Sequence, residues 1–144
     1  MHQRPLGWCK PVFLSVANII NKSKLKIFIP TLPHLENEIL KRTKNWKIKT
    51  EILIDDIKIE DYFKRTKIAL VCSGTASLEI SKRLIPQLII YKLNFLTEII
   101  AKLFVKVKFA NIINIVANEE VIPELLQEKC NAKNIFNKVD EFLT

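Results

Sequence analysis

The chain has 144 residues, 49% of them hydrophobic, and carries a formal net charge of +8 at neutral pH. That length supports a single domain with a proper core and excludes two full domains. Three cysteines at positions 9, 72 and 130 form no CxxC pair, and only His2 and His34 could join them, which argues against a structural zinc site.

Pro11 to Lys22 places Val12, Phe13, Val16, Ala17, Ile19 and Ile20 at helical spacing, with a proline suited to a first turn. Leu25 to Pro30 is short, rich in β-formers and closed by proline, which predicts a buried strand. A helix follows over Pro33 to Thr43, and Lys49 to Ile54 reads as a second strand. Asp55 and Asp56 form a polar stop before a short helix near Glu60 to Arg65; these acids, with Asp61, are turn and cap residues. Ile68 to Cys72 makes a third strand with Cys72 as a small core residue, Thr75 to Leu84 a helix, and Pro86 to Tyr91 a fourth strand.

Phe95 to Val107 repeats apolar residues at helical spacing with Lys102, Lys106 and Lys108 nearby, giving an amphipathic basic helix. Packing on a sheet and contact with a membrane surface both remain open for it. Glu119 to Cys130 and Asn131 to Leu143 read as two further helices, the first interrupted or started by Pro123. Strands alternating with helices predict right-handed βαβ units and a mostly parallel sheet, an α/β fold class. Every apolar stretch is broken by charge well before the ~20 residues a transmembrane helix needs.

The junction between the third strand and its helix carries the strongest chemical signal. An apolar run ends in Ser73, Gly74 and Thr75 and passes directly into helix. Amides of a first helical turn have no intrahelical partner, and the helix dipole adds positive potential, so such a turn can hold a phosphate without a cationic side chain. Gly7 and Gly74 are the only glycines, and Gly74 falls where backbone must turn tightly or approach a ligand. In an open parallel sheet this is also the edge where ligands bind. Ser73 or Thr75 could equally serve as helix caps.

Glu79 lies four residues after Thr75, so the two share a helix face. Asn114 sits between large aliphatics and must find hydrogen-bond partners, whether backbone or substrate. Glu124 and Gln127 are three apart and would share a helical face. No Ser/His/Asp or Cys/His nucleophile arrangement is visible.

Four segments, Leu70-Val71-Cys72-Ser73-Gly74-Thr75-Ala76-Ser77-Leu78-Glu79, Pro86-Gln87-Leu88-Ile89-Ile90-Tyr91-Lys92, Asn111-Ile112-Ile113-Asn114 and Pro123-Glu124-Leu125-Leu126-Gln127, carry a resemblance. Together they closely resemble the C-terminal half of the lipid-A-disaccharide synthases, glycosyltransferases of the GT-B type. The resemblance runs from about Pro11 to the end and implies a Rossmann-like nucleotide-sugar-binding domain over 11–144 with C-terminal helices, preceded by an atypical segment over 1–10. Asn111 and Ile113 stand where this family usually has serine and proline. A Pro-Gly-Ser-Arg motif, whose arginine faces the donor phosphates, is expected near the start, and Arg4 matches neither its spacing nor its context.

The resemblance implies that Ser73, Gly74, Thr75 and Ala76 hold the donor diphosphate, Glu79 accepts ribose hydroxyls, and Asn114, Glu124 and Gln127 approach the donor. It implies a UDP-diacylglucosamine donor and a lipid acceptor, with no metal or other cofactor because helix amides take the place of a cation. About half the enzyme, the N-terminal half with the catalytic base, would be missing, leaving a separate N-terminal polypeptide or a homo-oligomer as open partners. The expected place is the cytoplasm at the inner membrane, a setting that the odd cysteine count and missing signal peptide also favour.

A second reading makes the chain a truncated, non-catalytic remnant that at most binds UDP. The charge suits an anionic partner, yet a bias toward Lys, Ile and Asn can produce it without selection on binding. A nucleic-acid module is disfavoured, since interleaved aromatics and a dense basic run are lacking. The tail motifs argue against the donor half of another UDP-sugar enzyme, such as an epimerase or a peptidoglycan glycosyltransferase.

Overall fold

A computed structural model describes residues 25–72, 74–92 and 108–144. The expected helices over 11–22 and 95–107 and the residue Ser73 lie outside the described residues. The chain divides into two compact units, with the boundary between Thr66 and Lys67. The class is α/β, with parallel sheets flanked by helices.

In the first unit β1 (Ile27–Pro30) pairs in parallel with β2 (Thr50–Leu53), Ile27 opposite Thr50 and Pro30 opposite Leu53. Pro33 opens a 3-10 turn (Pro33–Leu35) that leads into α1 (Glu36–Thr43). Ile39 of α1 is buried, with Ile48 and Leu53, in this unit's core. Helix α2 (Asp56–Lys64) starts four residues before the expected Glu60. The reason is local: the Asp55 carboxylate accepts the Lys58 N–H at 3.0 Å, satisfying an otherwise open first-turn donor. Asp55 is thus the cap expected of it, whereas Glu60 and Asp61 stand inside the helix rather than in a turn.

Phe28 of β1 meets the rings of Tyr62 and Phe63 at 5.2 and 6.1 Å between centroids, which fastens α2 to the sheet. The Tyr62 hydroxyl donates to Glu51 at 2.5 Å, and the Arg65 guanidinium lies 4.6 Å over its ring. That hydrogen bond to Glu51 is the main cause that holds the Tyr62 hydroxyl above its ordinary ionisation range.

The second unit is a three-stranded parallel sheet in the order β3-β4-β5, from β3 (Ala69–Val71), β4 (Gln87–Tyr91) and β5 (Glu124–Leu126). β4 is central, and Leu88, Ile89 and Ile90 are completely buried, as a strand covered on both faces requires. Val71 and Glu124 both lie opposite Ile89, so three strands share one row. Helix α3 (Thr75–Lys82) follows β3 and buries Ser77 and Ile80. Helix α4 (Ile112–Ala117) is capped by Asn111, whose side chain accepts the Ile113 N–H. Helix α5 (Ala132–Leu143) is capped by Asn131 and sinks Ile135 and Val139, one turn apart, into the core.

Two expectations fail here. Glu119 to Cys130 is no helix: Glu124–Leu126 is strand β5, and a 3-10 turn, Gln127–Lys129, follows it. Pro123 supplies no N–H, its carbonyl accepts the Ile89 N–H at 2.9 Å, and the open edge of β4 takes the next residues into the ladder. Glu124 and Gln127 therefore share no helical face. Cys72 is exposed just past the end of β3, because β3 ends at Val71 and the chain turns toward α3.

Among the described residues no helix is long and apolar enough to cross a membrane, and no group of three or more His, Cys, Asp or Glu could hold a metal ion.

Candidate functional site

The turn from β3 into α3 is built around Gly74. Its φ of 115° and ψ of −155° fall in a region that only glycine adopts without strain. A Cβ built there meets nothing within 4 Å. Glycine is needed for the path of the backbone, not for want of space. Because the cap residue has no side chain, it offers nothing to the first-turn donors of α3, and Thr75 and Ala76 are exposed. The Ser77 N–H returns to the Gly74 carbonyl at 3.1 Å. Open amides, the positive end of the helix dipole and a position beyond the carboxyl end of a parallel strand together make a surface suited to an anion.

Glu79 is exposed and on the same helix, but its carboxylate is held at 2.8 Å by Arg83, one turn toward the C-terminus. Arg83 also donates to the Glu79 carbonyl at 3.0 Å. Gln127 follows the carboxyl end of β5 with a φ of 51°, so it stands at the same edge of the parallel sheet as Gly74.

Asn114 and Glu124 come together. Asn114 is fully buried, and its amide donates to the Ile122 carbonyl and to Glu124 Oε1, both at 2.7 Å, while its Oδ1 accepts the Ile122 N–H at 2.8 Å. Its partners are thus backbone and the Glu124 side chain. The Glu124 carboxylate also accepts the Ala110 N–H at 2.7 Å and the Asn111 N–H at 2.9 Å. Three N–H groups converging on one carboxylate make a strong, charge-assisted clamp on residues 110–114.

The network extends through residues that have no role in the expected donor site. Asn111 Nδ2 donates to Ser77 Oγ at 2.6 Å, and that hydroxyl donates to Gln87 Oε1 at 2.9 Å. Gln87 Nε2 donates to Ser81 Oγ at 2.6 Å and to the Ser77 carbonyl at 3.2 Å. Ser77 and Asn111 are completely sealed from solvent, and Gln87 is buried with them. One signal could have found them: a glutamine opening an otherwise apolar strand, and a serine on the helix face that buries Ile80, are polar groups that need partners.

Parallel strands flanked by helices, with a glycine turn from strand to helix at the carboxyl edge, define an α/β domain of the Rossmann-like class. A family model described as lipid-A-disaccharide synthetase matches residues 10–144. The chain belongs to that family, whose members are glycosyltransferases. Among its relatives, the lipid-A-disaccharide synthase of Rickettsia canadensis is 34% identical over 134 residues, covering 92% of this chain and 34% of the relative. The synthase of Rickettsia felis is 35% identical over 135 residues, again 92% of this chain and 34% of the relative. That of Gluconobacter oxydans is 32% identical over 136 residues, 93% of this chain and 33% of the relative. The chain spans about a third of the length of these relatives.

Proposed function

We propose that this chain is the donor-binding part of a lipid-A-disaccharide synthase and holds the UDP portion of UDP-2,3-diacylglucosamine. The reaction it would serve transfers diacylglucosamine to 2,3-diacylglucosamine 1-phosphate. The acceptor hydroxyl attacks the anomeric carbon, the bond from that carbon to the diphosphate oxygen breaks, UDP leaves, and the hydroxyl proton passes to a base. The product is a β-1,6-linked lipid A disaccharide. The carrying observation, beside family membership, is the glycine turn at Gly74, which opens the first turn of α3 at the ligand edge of the sheet.

In this reading the amides around Ser73, Gly74, Thr75 and Ala76 stabilise the departing diphosphate, which is the larger electrostatic task of the transfer. No metal is required for that task. Glu79 would take ribose hydroxyls after exchanging Arg83 for them, and Gln127 would reach the donor from the end of β5. Asn114 and Glu124 contribute by holding residues 110–114. The base would come from a part of the enzyme that this chain does not supply, so the chain alone forms no disaccharide. The transfer would take place at the cytoplasmic face of the inner membrane, where its lipid substrates lie.

A second reading is UDP binding without transfer. Titration of the chain with UDP, with GDP and inorganic phosphate as controls, tests what both share. Selective, saturable amide shifts near Gly74, Glu79 and Gln127 are expected. A folded spectrum indifferent to UDP overturns both. Disaccharide formation after adding the remaining two thirds of a family enzyme separates transfer from mere binding.

A further inference from the structure

We propose that Ser77, Gln87 and Asn111 are positioning residues of the donor site: their buried relay fixes the first turn of α3 against the segment that carries Asn114. The inference rests on the donor-site reading above and deepens it. Ser77 is the third residue of α3, so its side chain leaves the helix within the turn whose open amides face the ligand edge. Its hydroxyl joins groups from two other parts of the unit, accepting from Asn111 and donating to Gln87 at the start of β4. Asn111 in turn gives its backbone N–H to Glu124 on β5. The relay thus runs from α3 to β4, to the cap of α4 and to β5.

Each polar group along this path has a partner, and Ser77 and Asn111 have no access to solvent. The arrangement cannot shift by exchanging a protein partner for water. A phosphate on the first turn of α3 needs amides aimed at it before it arrives, because reorienting them on binding lowers affinity. A helix of two turns, capped by a glycine that offers no side chain, has little of its own to fix that aim. Ser77 provides it from the buried side of the same turn.

The test uses the full chain and UDP as the probe. Ser77→Ala removes the hub, and Ser77→Thr keeps the hydroxyl. Asn111→Ser cuts the bond to Ser77 while leaving a good cap for α4. We expect Ser77→Ala and Asn111→Ser to weaken UDP binding by about tenfold, one lost ordering interaction. Both should also move the amide resonances of Thr75 and Ala76 in the absence of ligand, and Ser77→Thr should restore both readouts. A merely structural role would lower the unfolding temperature yet leave the folded protein's affinity for UDP unchanged, and that result overturns the proposal. If Ser77→Ala does not fold, Asn111→Ser decides by the same two readouts. A wild-type chain that ignores UDP sinks the donor-site reading, and the positioning role with it; unchanged affinity in the variants of a UDP-binding chain sinks the positioning role alone.

Discussion

Gly74 and Asn114 are set by different physics, and substitution separates them. At Gly74 a methyl has room but the backbone angle forbids it, so Gly74→Ala costs about 1–3 kcal/mol of backbone strain or forces the turn to another path. Denaturant unfolding measures the first outcome, and displaced amide resonances at the start of α3 the second. At Asn114 the backbone is ordinary helix and the side chain matters. Asn114→Ala strands the N–H and carbonyl of Ile122 and one bond of Glu124, costing about 2–3 kcal/mol by the same denaturation measurement. Tyr62 gives a pH signature in the first unit. Its folded-state ionisation is raised, so the stability it contributes is fully present below the ordinary tyrosine range near pH ~10 and lost as pH rises through the folded value. Tyr62→Phe should therefore lower stability below that range and abolish the fall on the alkaline side, as pH-dependent denaturation would show. Gly74 was legible from scarcity and position. The burial of Ser77 was not, because a serine near a helix start reads equally well as an exposed cap until the opposite face is known.

The elements repeat this contrast. β4 announced itself because a central parallel strand must be apolar on both faces, and Leu88, Ile89 and Ile90 satisfy no other pattern so well. β5 did not. Its three residues, Glu124 to Leu126, are acceptable in a helix, and only the vacant edge of β4 decides for a strand. Helix α2 began earlier than periodicity suggested because the Asp55 cap, rather than an apolar stripe, sets its start; it buries no residue completely. Helix α5 was legible because Ile135 and Val139 repeat at one turn and both are buried. Ile135→Ala should therefore cost about 2–5 kcal/mol, with little relaxation available in a site without solvent access. Loss of amide protection along β4 in hydrogen exchange would show that the helix stabilises the sheet it covers.

For the molecule as a whole, family and class were readable because four separated segments agree with one α/β layout, and consistency of that kind is what specifies a fold. The charge of +8 says little about the fold and more about encounter. UDP binding should weaken as salt rises from 0.1 to 1 M, where the screening length shrinks from about 10 to about 3 Å. An affinity indifferent to salt would place the work on short-range amide contacts alone.

The parallel pairing of β3, β4 and β5 also has a consequence for the order of folding. No two neighbours of that sheet are joined by a hairpin, and β5 at Glu124–Leu126 lies far along the chain from β4, which ends at Tyr91. Pairing over such a separation must close a long stretch of chain before contacts reward it, so the β5 side of Leu88, Ile89 and Ile90 is covered late in folding, and their exposure until then favours aggregation.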